Sequence, residues 1–366
     1  KVTRFRGEQL AMYRKWLPVL ARDPAYNLNL ALTASGFKVE PVVDLTWRAL
    51  PWRPAPLVLV QRTLRCNDGD NRVSTPLETL REQGLLDGAV SPRRLSIVEI
   101  ERLKPEAIVF QQPFLETDLH DIELTCQLST ATRILDLDRL PFDYQVAPLF
   151  LRSLELVDRV IVASPRLAAA LEGMHKDIRV VIESLPAHWT LVAPQRRIGD
   201  KPRIGWRGDH DQLDIELLAQ IMPVLADEVD FVVMGWCPIE LRPFVKDQRY
   251  QAQEADHPEA LAQMNLDLAL LPLRGNGLQG SQSVLRLLEY GACGFGVLCS
   301  EIAWDEETLP VTRLPNHAQA WIDAIRARIA EPDALALEGD ALQRDIFERW
   351  ILNDRNLQSW RDAWLA

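Results

Sequence analysis

Few of the patterns that announce a chemistry occur in this sequence. The five cysteines (Cys66, Cys126, Cys237, Cys293, Cys299) are odd in number, widely spaced and never arranged as CxxC. That argues against a disulfide framework or a thiolate zinc site and for a reducing compartment. There is no GxxxxGK followed by Ser or Thr, which disfavours a P-loop ATPase. Five of the histidines, His120, His175, His188, His257 and His317, have no metal-ligand spacing. His210, between Asp209 and Asp211, reads as a metal cluster only if three adjacent side chains turn to one centre, which neighbours in a loop seldom do. No apolar run approaches about 18 residues, so no segment is expected to span a bilayer, and no signal-peptide pattern is present. Positive charge is in deficit: 41 Lys and Arg stand against 52 Asp and Glu, for a net charge of -11. Long-range attraction to nucleic acid or to an anionic bilayer is therefore not encoded globally, which leaves room only for a local basic cleft.

What is present fits a globular chain too long for one core. At 366 residues, two domains of roughly 150 residues each are expected. The chain begins with Lys, as a piece of a longer protein would. Residues 1–50 read as a helical and irregular appendage, with apolar residues at helical spacing from Gln9 to Leu20. The run Ala55-Pro-Leu-Val-Leu-Val-Gln61 has the uninterrupted apolar character of a strand buried on both faces of a parallel sheet. Strand and helix patterns then alternate through residues 51–193, and again through residues 203–341, across a polar seam at residues 194–202. Such alternation predicts two doubly wound α/β domains. Residues 342–366, with Trp350, Trp360 and Trp364, are expected to form a C-terminal helix packed at the domain interface.

Ligands of open parallel sheets sit at the carboxyl ends of the strands. The most informative loop there is Leu271-Pro-Leu-Arg-Gly-Asn-Gly-Leu-Gln-Gly-Ser-Gln-Ser283, which runs from a strand into an amphipathic helix. Its glycines let backbone amides approach an anion, and Ser281 or Ser283 can cap the helix. Arg274 and Arg286 offer the charge a diphosphate needs; an ordinary glycine loop with solvated arginines is the other reading. Glu289, three residues beyond Arg286, can accept both hydroxyls of a ribose or pair with Arg286 at the surface. Gly205-Trp-Arg-Gly208 ends another strand, so Arg207 can reach the same phosphate region and Gly208 can admit a close backbone. In the first domain, Asp136 and Asp138 alternate along a strand and share a face. From there they hold a substrate hydroxyl or raise one another's pKa, or Asp138 merely caps a helix or loop before Pro141.

These residues carry a resemblance. Asp267-Leu-Ala-Leu-Leu-Pro-Leu273, followed by Gln282-Ser283, Arg286 and Leu288-Glu-Tyr-Gly-Ala-Cys-Gly294, resembles the C-terminal signature of retaining, family-4-like glycosyltransferases of the GT-B fold, of the kind used in bacterial surface-polysaccharide and glycan assembly. Ile204 to Gly208, Val232 to Gly235, Ile134 to Asp138 and Asp158 to Ser164 extend it over roughly residues 55–365. The resemblance implies two Rossmann-like domains facing across a cleft and a nucleoside diphosphate sugar as donor, with no metal or other cofactor required. It implies a glycan or lipid-linked glycan as acceptor, and a cytoplasmic enzyme that can work peripherally at the inner face of the membrane. Glu289 would bind the ribose, Gly208, Gly280, Ser281, Gln282 and Ser283 would cradle the diphosphate, and Arg207 and Arg286 would neutralise it. Asp136 and Asp138 complete the expected catalytic set. Family members commonly carry a second glutamate eight positions before the ribose-binding one, where this chain has Ser281. A non-catalytic nucleotide- or glycan-binding module of a larger protein and a sugar-nucleotide epimerase are the alternatives.

Overall fold

A computed structural model describes residues 2–32, 36–40, 42, 55–61, 72–91, 93–111, 115–140, 147–192, 200–208, 213–249, 257–274, 282–301 and 309–366. The chain divides into two compact units, residues 1–182 with 354–366, and residues 183–353. Of the expected linker at 194–202, residues 194–199 lie outside the described residues.

The first unit opens with helix α1 (Val2–Ala21) and continues β1 (Leu57–Gln61), α2 (Ser74–Glu82), β2 (Asp87–Ser91), α3 (Ile97–Leu103), β3 (Ala107–Gln111), α4 (Glu116–Leu128), β4 (Thr132–Leu137), α5 (Ala147–Leu156), β5 (Arg159–Val162), α6 (Pro165–Ala170) and β6 (Ile178–Val180). The strands form one sheet in the order β2-β1-β3-β4-β5-β6, parallel at every pairing. Every residue of β1, β3 and β5 is buried, as strands covered by helices on both faces must be. Local signals set the helix ends. Ser96 and Glu99 close a capping box on α3, Ser164 caps α6 with Pro165 behind it, and Gly84 leaves α2 at φ 69°, a left-handed turn that glycine makes without Cβ strain.

The second unit runs β7 (Arg203–Gly208), α7 (Ile215–Leu225), β8 (Asp230–Gly235), β9 (Val245–Arg249), α8 (His257–Ala262), β10 (Leu268–Leu271), α9 (Gln282–Ala292), β11 (Gly296–Ser300), β12 (Thr312–Leu314), α10 (Ala318–Ala330) and α11 (Pro332–Arg349). Its sheet, β12-β11-β10-β7-β8-β9, is also parallel throughout. Trp206 and Trp321, both at 0% exposure, lie in its main apolar cluster. The chain starts this sheet at β7, builds outward through β8 and β9, then returns beside β7 with β10 and builds the other way. Read from β9, this is the 3-2-1-4-5-6 order of Rossmann domains, and the strand order reverses between β7 and β10.

The C-terminal tail differs from its expected single helix. α11 ends at Arg349, and α12 (Asp354–Leu365) follows after a short extended stretch. Leu185 N–H donates to the Trp350 carbonyl at 2.8 Å and Leu352 N–H donates to the Leu185 carbonyl at 2.7 Å, so pairing with a distant segment overrides helix continuation. α12 belongs to the first unit. Its Trp360 and Trp364 are buried there at 1% and 0% exposure, with ring centroids 5.2 Å apart.

Candidate functional site

The point where the second sheet reverses direction brings the carboxyl ends of β7 and β10 side by side. Arg207 is the penultimate residue of β7, and α9 begins eleven residues after β10 ends. α9 seats itself through buried Val284, Leu287, Leu288 and Tyr290. Gly291 allows close packing on α11, since a Cβ there would lie 2.3 Å from Ile346 Cδ1. That seating brings two consecutive residues of α9 against the end of β7. Tyr290 Oη accepts the Arg207 backbone N–H at 2.7 Å, and the Glu289 carboxylate takes the Arg207 guanidinium, Nη1 to Oε2, at 2.9 Å.

Glu289 is a buried carboxylate, not the surface residue of the alternative reading. Its residue exposure is 4%. His257, at the start of α8, brings Nε2 to 3.4 Å from Glu289 Oε1 and 3.2 Å from Arg207 Nη1. Burial, the largest influence, pushes the Glu289 pKa up, but Arg207, His257 and Arg286 together outweigh it and hold the carboxyl below its ordinary value. The same burial pushes the neighbouring Tyr290 phenol up. Trp189 packs edge-on against the His257 ring, with centroids 5.8 Å apart and planes at 76°. Arg207, His257 and Arg286 thus act on one anionic group that stays ionised at neutral pH, with Trp189 packed behind His257.

Polar groups also fix where the glycine loop leaves the sheet. Ser300, at the end of β11, donates to Asn316 Oδ1 at 2.6 Å and accepts the Leu273 N–H at 2.8 Å. Asn316 Nδ2 donates to the Leu273 carbonyl at 2.7 Å and to Asp214 Oδ2 at 3.0 Å. Asp214 in turn caps α7 by accepting the Leu217 N–H at 3.1 Å. The exit of β10, the end of β11 and the start of α7 are therefore held in one hydrogen-bonded frame.

The sequence-predicted residues fall into three groups. Arg207 and Glu289 meet directly, and Arg286, itself 5% exposed, lies one turn before Glu289 on α9 and lowers its pKa. Gln282 and Ser283 open α9, while Gly280 and Ser281 lie outside the described residues, as do Asp209, His210 and Asp211. Residues Gly275 to Gly280 spell GxGxxG; the dinucleotide form of that motif follows the first strand of its sheet, whereas this one follows β10, the fourth strand of its sheet in chain order. Gly208 has a close backbone neighbour of its own, because a Cβ there would lie 1.6 Å from the Trp236 carbonyl oxygen.

Asp136 and Asp138 are in the first unit, buried at 1% and 6% exposure. Asp136 holds Arg72 at 3.2 Å, and Arg72 also donates to the Val181 carbonyl at 2.8 Å and lies 4.8 Å from the Trp360 ring centroid. Asp138 Oδ1 is 3.9 Å from Arg139 Nε. His188 is exposed; its neighbour Trp189 is the one that reaches Glu289's surroundings. His257, Trp189, Ser300 and Asn316 were not legible as site residues, because each finds its partners across long sequence separations. Among the described residues, no cluster of three or more His, Cys, Asp or Glu is placed to hold a metal ion, and no helix is long and apolar enough to cross a membrane.

No protein-family model and no curated protein matches this chain. Solved structures do. A glycosyltransferase from Rickettsia africae ESF-5 superposes with a TM-score of 0.61 at 10% identity, over 84% of this chain and 98% of that one. Anabaena HepE in complex with UDP-glucose gives 0.59 at 11% identity, over 84% and 98%. TarM gives 0.52 at 12% identity, over 72% of this chain and 56% of that one, so this chain spans about half the length of TarM. At such identities the likeness is one of fold, and what this chain shares with those proteins is the GT-B architecture of two Rossmann-like domains.

Proposed function

We propose that this chain is a glycosyltransferase that moves a sugar from a nucleoside diphosphate to a hydroxyl of a glycan or lipid-linked glycan, with retention at the anomeric carbon. The observation that carries the proposal is the buried, ionised Glu289 at the reversal point of a Rossmann-ordered sheet, beside the start of α9. A carboxylate there accepts two ribose hydroxyls, since it has acceptor sites and no donor. The HepE structure holds UDP-glucose, which supports a nucleotide sugar as the donor class.

In this proposal the amides of Gly280 to Ser283 and the positive end of α9 receive the diphosphate. Arg286 and Arg207 neutralise the charge that grows on the diphosphate oxygens as the glycosidic bond breaks. Arg207 shares its guanidinium between Glu289 and the phosphate, and His257 keeps Glu289 compensated while it does so. Asp136 and Asp138 serve the acceptor hydroxyl, Asp136 with its Arg72 pair intact. A protein of this kind works in the cytoplasm on surface-polysaccharide precursors.

Thermal shift with UDP, GDP, dTDP and CMP, and with their sugar conjugates, tests the site. One nucleotide should stabilise the wild type by about 2.7 kcal/mol at a hundredfold excess over its Kd, and Glu289→Gln and Arg286→Ala should each remove most of that. A stabilisation that survives both substitutions rejects the site. Donor turnover only in the presence of glycan separates transfer from epimerisation, and nucleotide binding without any turnover identifies a non-catalytic module.

A further inference from the structure

The sheet of the second unit comes apart where its direction reverses. β10 pairs with β7 only through Leu268 with Ile204 and Ala269 with Gly205. Beyond that point β10 follows β11 as far as Leu271 beside Cys299, and β7 follows β8 as far as Gly208 beside Gly235. Among the described residues, Trp206, Arg207 and Gly208 therefore have a strand on one side only. The residue after β10 is Pro272, which has no N–H with which to extend the ladder.

The parting of the strands falls on the backbone of Arg207. The Arg203 carbonyl accepts the Asp267 N–H at 2.9 Å, on the β10 side, and the Pro202 carbonyl accepts the Asp230 N–H at 2.8 Å, on the β8 side. Backbone groups alternate sides along a strand, so Arg203, Gly205 and Arg207 turn theirs toward β10. At Arg207 that strand has already left, and its N–H goes to the Tyr290 hydroxyl at 2.7 Å. A phenylalanine would fill the space of this ring, which is 0% exposed; the hydroxyl is tolerated in the core because it is bonded. Glu289, the residue before Tyr290 on α9, holds Arg207 Nη1 at 2.9 Å. One helix thus grips the arginine at two points, its backbone through Tyr290 and its guanidinium through Glu289.

We propose that Tyr290 is a positioning residue: its hydroxyl stands in for the departed strand and fixes the backbone from which Arg207 reaches the diphosphate. The catalytic consequence rests on the transferase reading above. With its backbone fixed, Arg207 has only side-chain torsions to search, so the guanidinium meets the charge that grows on the leaving diphosphate with little reorganisation. Without the hydroxyl, the Arg207 N–H must find another acceptor, and the strand end shifts to meet it. Arg207 then loses its aim although its own guanidinium is intact.

Tyr290→Phe in the full chain tests this, since it removes the acceptor and keeps the ring. With the nucleotide sugar that stabilises the wild type as substrate, kcat should fall about tenfold while KM stays within about twofold, the mark of a contact made only in the transition state. In an Arg207→Ala background the same substitution should change kcat by less than about twofold, because nothing is left to aim. Melting temperatures without ligand, at about pH 7.5, read the same coupling independently of turnover: the fall caused by Arg207→Ala should be smaller by about 2 °C or more in the Tyr290→Phe background. Equal falls in both backgrounds overturn the proposal, as does a kcat loss of the same size with and without Arg207, or a loss confined to KM. A wild type that neither binds nor turns over any nucleotide sugar refutes the transferase reading alone, and the melting temperatures then decide whether Tyr290 sets Arg207.

Discussion

Replacing Arg207 with Ala removes the ion partner nearest to Glu289 and leaves the carboxylate buried. The 2.9 Å pair joins side chains that are 21% and 6% exposed. Breaking a fully buried pair costs about 3 to 5 kcal/mol because the remaining charge has lost its compensation. Here His257 and Arg286 stay behind and Arg207 is partly solvated, so about 2 to 3 kcal/mol is expected. For a unit of this size, 1 kcal/mol moves the melting temperature by about 2 to 4 °C, so the transition of the second unit should fall by about 5 to 10 °C. The pH dependence identifies the cause. In the wild type the Glu289 pKa is depressed in the folded state, so its contribution to stability is present above the unfolded pKa and is lost as pH falls through the folded one. In the variant, burial acts against weaker compensation, and the folded pKa rises. Between about pH 7.5 and about pH 5 the variant should therefore take up a proton and shed its penalty while the wild type does not, narrowing the gap between them. Scanning calorimetry of the full chain across that range measures it. A gap that is absent at pH 7.5, or constant over the range, would refute this account of Glu289.

Gly208→Ala should cost about 2 kcal/mol or more, since its Cβ would sit 1.6 Å from a backbone oxygen and the end of β7 must move to admit it; an unchanged melting temperature would count against the tight contact with Trp236. Trp360→Ala should destabilise the first unit by about 3 to 5 kcal/mol, because the ring is 1% exposed and Arg72 lies over it. A loss under about 1 kcal/mol would show that the site collapses around the missing ring. In mass-mapped alkylation of the native chain, Cys126 should label, while Cys237, Cys293 and Cys299 should stay protected until unfolding. Burial pushes the Cys299 thiol up to about 12 and the Cys293 thiol well above its ordinary value, which leaves almost no thiolate to react. Rapid native labelling of Cys299 would contradict that burial.

Strands buried on both faces were legible because a continuous apolar run has few other solutions. β1, β3, β5, β8, β10 and β11 follow such runs, while β4 and β7 carry shorter apolar stretches between charged residues. β2, β9 and β12 were not predicted. The first begins Asp-Gly, the second reads Val-Lys-Asp-Gln-Arg, and the third is three residues long. All three lie at sheet edges, where one side needs no partner and the sequence is less constrained. α3 could have been read from its capping box, Ser96 to Glu99. At the site, Arg207 and Glu289 were legible from their places at a strand end and on the following helix. His257 was not, since it stands 50 residues from Arg207 and 32 from Glu289 along the chain, and no local pattern encodes that meeting.

The route of the chain through its two units also bears on biosynthesis. Residues 354–366 complete the first unit, yet they are made only after all of 183–353. A nascent first half would lack the indoles of Trp360 and Trp364, and the groups that receive them would stay open while the second half is translated. Closing the unit late is a long-range step, slower than local folding and more exposed to aggregation. A fragment cut at residue 182 should accordingly be soluble only when the segment 354–366 is supplied to it in trans.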